Sequence, residues 1–361
     1  MTSRRASVAA RWRLACLAAA FSAGVVTTAV AADDPWQTVE PAGATRCADG
    51  SPYRFHVRQA DPSRLLVFFN GGGACWSAET CDPAGRPTYR FHTGEGSGND
   101  PRAYGGAFDL ENAENPFRDW SQVFVSYCSG DVHLGDATTR YAGPGGDVVM
   151  RHAGRANADA ALEEAYARFP AAQQVVVAGG SAGALASPVY AAVLAERYPE
   201  ARVTQLGGGG AGYRLPPPTM LWESWGVIPA LPAVLDARAV TSGTLRITDL
   251  YRLAAAAAPR IRFHSYDNAY DAVQEQFLAL LGHPAALLPG LDANLDDLHG
   301  DLPFLRSYVA GGDFHTLLRF DELYTRRTAG VRAVAWLESV IDPSRDAPNV
   351  HCSCDGECRA R

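Results

Sequence analysis

The chain has 361 residues, the length of one large α/β domain or two small ones. With 47% hydrophobic and 20% charged residues it is neither fibrous, disordered nor a polytopic membrane protein. All 32 basic residues are Arg, yet the formal net charge is −7, which opposes a nucleic-acid partner.

Reading from the N-terminus, residues 1–13 carry Arg4, Arg5, Arg11 and Arg13 and no acid. An apolar run from Leu14 to Val30 follows, ending in Ala29-Val30-Ala31. Charged region, apolar region and small-x-small site predict a secretory signal, residues 1–31, cleaved after Ala31. Ser22, Gly24, Thr27 and Thr28 make the run a poor membrane span, so no stable insertion is expected after cleavage. Arg4-Arg5 and Cys16 offer only weak matches to twin-arginine and lipoprotein signals. Cleavage removes four Arg and no acid, taking the net charge from −7 to −11. The mature chain, 32–361, is expected to be secreted or periplasmic, where disulfides persist.

Arg64–Phe69, Gln122–Ser126, Gln174–Ala178, Arg202–Leu206 and Arg260–His264 read as strands buried on both faces, and Arg306–Val309 is strand-like. Asn157–Phe169 has one apolar stripe and reads as a helix, as does Ala182–Tyr198, which Pro199 ends. This alternation predicts an α/β fold, a mostly parallel central sheet flanked by helices. Leu215–Pro232 breaks the rhythm with five Pro, Trp222 and Trp225, and predicts a cap insertion at about 213–250.

Gln174–Ala178 runs into Gly179-Gly180-Ser181-Ala182-Gly183 and then into an Ala-rich helix. Strand, G-x-S-x-G and helix in succession predict a nucleophile turn that lifts the Ser181 hydroxyl above the sheet at a helix N-terminus. The strand Leu65–Phe69 ends in Asn70-Gly71-Gly72-Gly73. A glycine run there can aim backbone N–H groups at an oxyanion, joined by the N–H of Ala182. No Lys follows these glycines, so a phosphate loop is the poorer reading. The later run Gly207–Gly210 is expected to pack closely near the pocket.

A serine nucleophile needs an imidazole base and a carboxylate that orients it, in the chain order Ser, Asp, His. His264 falls within a strand and His351 within the Cys-rich tail, which favours His315 in a late Gly-rich loop. For the acid, Asp267 and Asp271 both follow the Arg260–His264 strand, and spacing does not choose between them. Asp292, Asp296 and Asp297 are expected in a solvated loop.

Several strings together carry a family resemblance. They are Cys47-Ala-Asp-Gly-Ser-Pro52, Phe69–Cys75 with Cys81, Tyr127-Cys-Ser-Gly-Asp-Val132, Gly179–Gly183, Tyr270-Asp271-Ala-Val-Gln274 and the His315 segment. The chain resembles the pectin acetylesterase family, Notum-type carboxylesterases included, and more closely its bacterial secreted branch. The resemblance implies an α/β-hydrolase fold with Ser181 as nucleophile, His315 as base and Asp271 as orienter, through the family's D-x-x-Q. It implies oxyanion donors at Gly72, Gly73 and Ala182, a Cys47–Cys128 bridge, and no metal or organic cofactor. The sequence departs from the family at Gly207–Gly210, where relatives often carry Asp, and in its C-terminal Cys cluster.

Cys75 and Cys81 are close in sequence and expected to pair. In the tail 351–361, Cys352, Cys354 and Cys358 leave one bridge and one free thiol, the pairing open; a Cys₃His zinc site is less expected in a secreted protein. Asp131 and His133 lack a third ligand at metal-binding spacing. The expectation is therefore a single catalytic domain over 32–361, a serine carboxylester hydrolase acting through an acyl-enzyme on acetyl or other short acyl esters of a polysaccharide or small molecule. The alternatives are a deacylase for longer or lipid-borne chains, with Trp222 and Trp225 lining the acyl pocket, and a non-catalytic polysaccharide-binding protein on the same scaffold. An acidic chain does not suit polyanionic pectin, so the alcohol part of the ester stays open.

Overall fold

Val, Leu and Phe runs without polar alternation need cover on both faces, and in the computed structural model they form the middle of one nine-stranded sheet. The structure describes residues 34–214, 217–283, 286–353 and 357–359. The chain divides into two units, Met1–Asp34 and Pro35–Arg361, and the elements belong to the second. The expected signal at 1–31, Cys16 and Cys354 lie outside the described residues.

The strands are β1 (Trp36–Val39), β2 (Phe55–Arg58), β3 (Asp61–Phe69), β4 (Trp120–Val125), β5 (Gln174–Gly180), β6 (Arg202–Gly208), β7 (Arg262–Asn268), β8 (Arg306–Ala310) and β9 (Val350–His351). Their order is β1-β2-β4-β3-β5-β6-β7-β8-β9. Strand β2 runs antiparallel to β1 and β4, and every other pairing is parallel. The principal helices are α1 (Gly154–Arg168), α2 (Ala182–Arg197), α3 (Thr219–Trp225), α4 (Ile247–Ala257), α5 (Ala272–Leu280), α6 (Leu287–Asp301) and α7 (Ala333–Ile341).

The strand period of two sorts the core. Leu65, Val67 and Phe69 of β3, with Val175 and Val177 of β5, pack under α1, α2 and α4. Leu66, Phe68, Val176 and Ala178 face the other way, onto Trp336 and Leu337 of α7. Each Val, Leu or Phe among them contributes about 1.5–3 kcal/mol on full burial. Register then aligns the strand ends: Phe69 pairs with Gly179, and Gly179 with Gly207. The glycine loop after β3, the turn after β5 and the turn after β6 therefore leave the same edge of the sheet side by side.

Three sequence expectations change. Strand β7 begins two residues later than expected and ends at Asn268, so Asp267 lies inside the strand. Asp292, Asp296 and Asp297 lie in helix α6, not in a solvated loop, because Leu287, Leu291, Leu295 and Leu298 recur at helical spacing and are buried. The short strands β1, at the sheet edge, and β2 beside it, with the hairpin Ala137–Tyr141/Val148–His152, were not visible in the pattern, being short or half polar. Among the described residues, no helix is long and apolar enough to cross a membrane.

Among the described residues three disulfides are present: Cys47–Cys128, Cys75–Cys81 and Cys352–Cys358. The last joins two of the tail thiols to each other, and His351 pairs with Asp292 at 2.9 Å. The Cys47–Cys128 bridge spans 81 residues. Replacing both cysteines by Ser is expected to cost roughly 4 kcal/mol through the unfolded chain's regained freedom, read as a lower urea midpoint.

Candidate active site

Ser181 sits between β5 and α2 with φ 56° and ψ −122°, a conformation few non-glycine residues adopt. Its N–H donates to Gly208 O at 2.7 Å, which pins the turn to the end of β6. The neighbouring backbone leaves no room for side chains. A Cβ on Gly183 would stand 2.0 Å from Phe69 O, and one on Gly71 would stand 2.7 Å from Ser181 Cβ. The glycine loop after β3 thus lies directly against the serine turn.

Ser181, Ala182 and Gly73 share the wall of one pocket of about 60 Å³. Gly72 is not in that wall; its α-carbon packs beside Tyr127 and Arg90. Gly73 has φ 78°. Three side chains hold Asn70 at the root of this loop: His133 Nε2 bonds its carbonyl at 2.8 Å, Arg319 donates to its Oδ1 at 2.9 Å, and its Nδ2 donates to Asn99 Oδ1 at 3.0 Å. His133 is buried and its pKa is pushed down to about 4 by that burial, so the ring stays neutral there. Asp131 is buried too, pushed up to about 6, and its oxygens take Ser129 Oγ, His133 N and Gly154 N. Asp131 and His133 are thus committed to protein partners.

His315 Nδ1 lies 2.6 Å from Asp271 Oδ2. Asp271 is fully buried and caps α5: Oδ1 accepts Val273 N at 3.0 Å and Gln274 N at 3.1 Å. Gln274 Nε2 donates to Asp271 Oδ2 at 3.1 Å and to Asp267 Oδ1 at 3.2 Å, while its Oε1 accepts Gly212 N. Four donor groups therefore converge on one carboxylate, and the D-x-x-Q spacing is that of an N-cap with the third helical residue folded back onto it. With Nδ1–H facing Asp271, the imidazole leaves Nε2 as the acceptor. Nε2 is buried and has no hydrogen-bond partner among the described residues. The ring lies over Gly209, where an added Cβ would stand 3.1 Å from Cε1.

The competing acid has a different task. Asp267 accepts Gly210 N and Ala211 N, each at 3.1 Å, and Ser265 Oγ at 2.5 Å. Burial pushes it up to about 6. It holds the closely packed turn after β6. His264 lies in β7, its Nδ1 bonded to Gln205 O at 3.1 Å, a core histidine.

Trp222 and Trp225 both line the pocket, edge to face with centroids 5.7 Å apart. Trp225 Nε1 donates to Cys75 O at 2.8 Å, and Trp222 Nε1 to Leu245 O at 3.1 Å. The first bond fastens the cap to the segment after the glycine loop, and the second closes the cap on itself. The apolar wall also includes Trp76, Leu185, Tyr213, Phe277 and Leu281. Sequence reasoning missed those five, which come from separate elements; only Phe277 and Leu281, one helical turn apart, carry a local signal.

A model of the family described as Pectinacetylesterase matches residues 30–217. The chain belongs to the pectinacetylesterase family. Similar proteins include palmitoleoyl-protein carboxylesterase notum2 of Xenopus laevis, 30% identical over 38% of this chain and 27% of that protein. Pectin acetylesterase 5 of Arabidopsis thaliana is 28% identical over 47% of this chain and 40% of its own length. A protein named inactive palmitoleoyl-protein carboxylesterase notum1b, of Danio rerio, is 37% identical over 25% of this chain and 65% of its own. The chain thus spans about a quarter of the Xenopus relative. In fold it is similar to the solved structure of the Wnt deacylase Notum from Drosophila, with TM-score 0.66 and 15% identity over 91% of this chain and 100% of that one. The family match ends before Asp271 and His315, and one relative is named inactive. Activity therefore has to be argued from this chain's own residues.

Proposed function

We propose that residues 32–361 form an exported serine carboxylester hydrolase that works through an acyl-enzyme. Ser181 Oγ attacks the ester carbonyl while His315 Nε2 takes its proton and then returns it to the departing alcohol oxygen. Asp271 holds the imidazole in its tautomer and balances the imidazolium charge. The N–H groups of Ala182, Gly73 and Gly72 would receive the oxyanion, each worth about 3 kcal/mol of barrier. Water, deprotonated by His315 in turn, releases the acid and restores Ser181. The observation that carries this reading is the 2.6 Å His315–Asp271 bond beside a serine held at φ 56° in a pocket wall. A serine at such a turn, with an oriented imidazole above the same sheet edge, has no simpler structural use. The three disulfides agree with an oxidising compartment.

The acyl group is short. One water needs about 10–15 Å³ of such space, so 60 Å³ holds roughly four to six heavy atoms. The tryptophan indoles, fastened at both nitrogens, keep the far wall in place. Rates on p-nitrophenyl esters should peak between acetyl and butyryl and fall by octanoyl. A peak at octanoyl or beyond would instead assign the pocket to long or lipid-borne chains, which its apolar wall also suits. Labelling by a fluorophosphonate probe tests the nucleophile itself: a protein that stays unlabelled at Ser181 is not a serine esterase, and the non-catalytic binding role returns.

A further inference from the structure

The leaving alcohol must extend from the mouth of the acyl pocket, and a second concavity begins there. It is an open groove of about 790 Å³, bounded on one side by Ser77–Thr88 and on the other by the glycine-rich turn 143–147. Trp76 stands in the walls of both spaces, half-buried, with its ring 6.3 Å from Phe277 of the acyl pocket. Leu280, 43% exposed, adjoins the acyl-pocket residue Leu281 and forms part of the groove.

Charge narrows the occupant. The groove holds three carboxylates, Glu79, Asp82 and Asp147, against one guanidinium, Arg86. Asp147 is paired with Arg140 at 3.1 Å, which leaves Glu79 and Asp82 against Arg86, a net single negative charge. A uronate chain would bring one negative charge per sugar into this field, in a chain that already carries −7. A neutral sugar chain meets no such repulsion. Its C–H face can lie on the Trp76 indole, and its hydroxyl pairs can donate to carboxylate oxygens.

We propose that this groove binds the alcohol part of the ester and that this part is a neutral glycan, not a polyuronate. The proposal rests on the esterase reading of Ser181, because that reading is what places the alcohol at the groove. Its test separates the two. Ser181→Ala protein, which needs no turnover, is titrated calorimetrically with xylohexaose, cellohexaose, hexagalacturonate and hexa-arginine. At least one neutral hexasaccharide should bind with a Kd about tenfold or more below that of hexagalacturonate. The same sugar should compete with p-nitrophenyl acetate in the unaltered protein. In Glu79→Lys/Asp82→Lys, both on the surface of the groove, the preference should shift toward hexagalacturonate by about tenfold or more. Equal or tighter hexagalacturonate binding, binding of hexa-arginine alone, or no binding of either neutral sugar overturns the proposal. Absence of fluorophosphonate labelling in the unaltered protein overturns the esterase reading and leaves the binding result intact.

Discussion

Ser181→Ala should lose hydrolysis of p-nitrophenyl acetate by roughly 10⁶-fold in kcat. The acyl-enzyme cannot form without Oγ, and the remaining machinery only positions the ester and polarises its carbonyl. Alanine keeps the Cβ that the turn already accommodates at φ 56° and keeps the N–H bonded to Gly208 O, so the far-ultraviolet spectrum and the urea midpoint should stay close to those of the unaltered protein. Activity retained within tenfold would show that another group attacks the ester, and the triad reading would fall.

The second large effect separates two neighbouring acids. Asp271→Asn should lower kcat by about 10⁴-fold, because an amide facing Nδ1 with its NH₂ group reverses the imidazole's tautomer and turns Nε2 into a donor. The N-cap bonds to Val273 and Gln274 can still be made through the amide oxygen, so binding of substrate should change little. Asp267→Asn touches no imidazole. Its buried carboxylate, already pushed up to about 6, gives way to a neutral group of the same shape that still meets Gly210 N and Ala211 N. Its cost should appear mainly in the urea midpoint. Steady-state kinetics on the two variants check the pair of expectations, and a larger kcat loss in Asp267→Asn would move the orienting role to that residue.

How much of this could be read from the chain depends on how local each feature is. The turn at Ser181 and the loop at 71–73 were legible because their backbone demands glycine at fixed places, and a glycine pattern survives in one dimension. The paired Trp222 and Trp225 stood out through the proline run beside them. The choice between Asp267 and Asp271 was not legible from spacing, since it turns on where β7 ends, and that strand extends four residues past the apolar run that marks it. The resemblance pointed to Asp271 through Gln274, and the structure supplies the physical reason: the amide folds back on the cap it follows. The helical state of residues 287–301 was hidden by three aspartates on its outer surface, although the leucines beneath had the right period. The rest of the pocket wall was invisible because Trp76, Leu185, Tyr213 and Phe277 meet only after the sheet has brought their elements together.

The backbone conformation at Ser181 has a thermodynamic side. A non-glycine residue there costs on the order of 1–3 kcal/mol, out of a total folding stability of about 5–15 kcal/mol for a typical domain. Every folded molecule carries that deficit, bound to an ester or not, and the burial of the surrounding sheet has to offset it. Folding alone would favour glycine at position 181, so a serine there works against stability. Variants chosen only for heat resistance would accordingly be expected to erode this turn before they disturb the rest of the sheet.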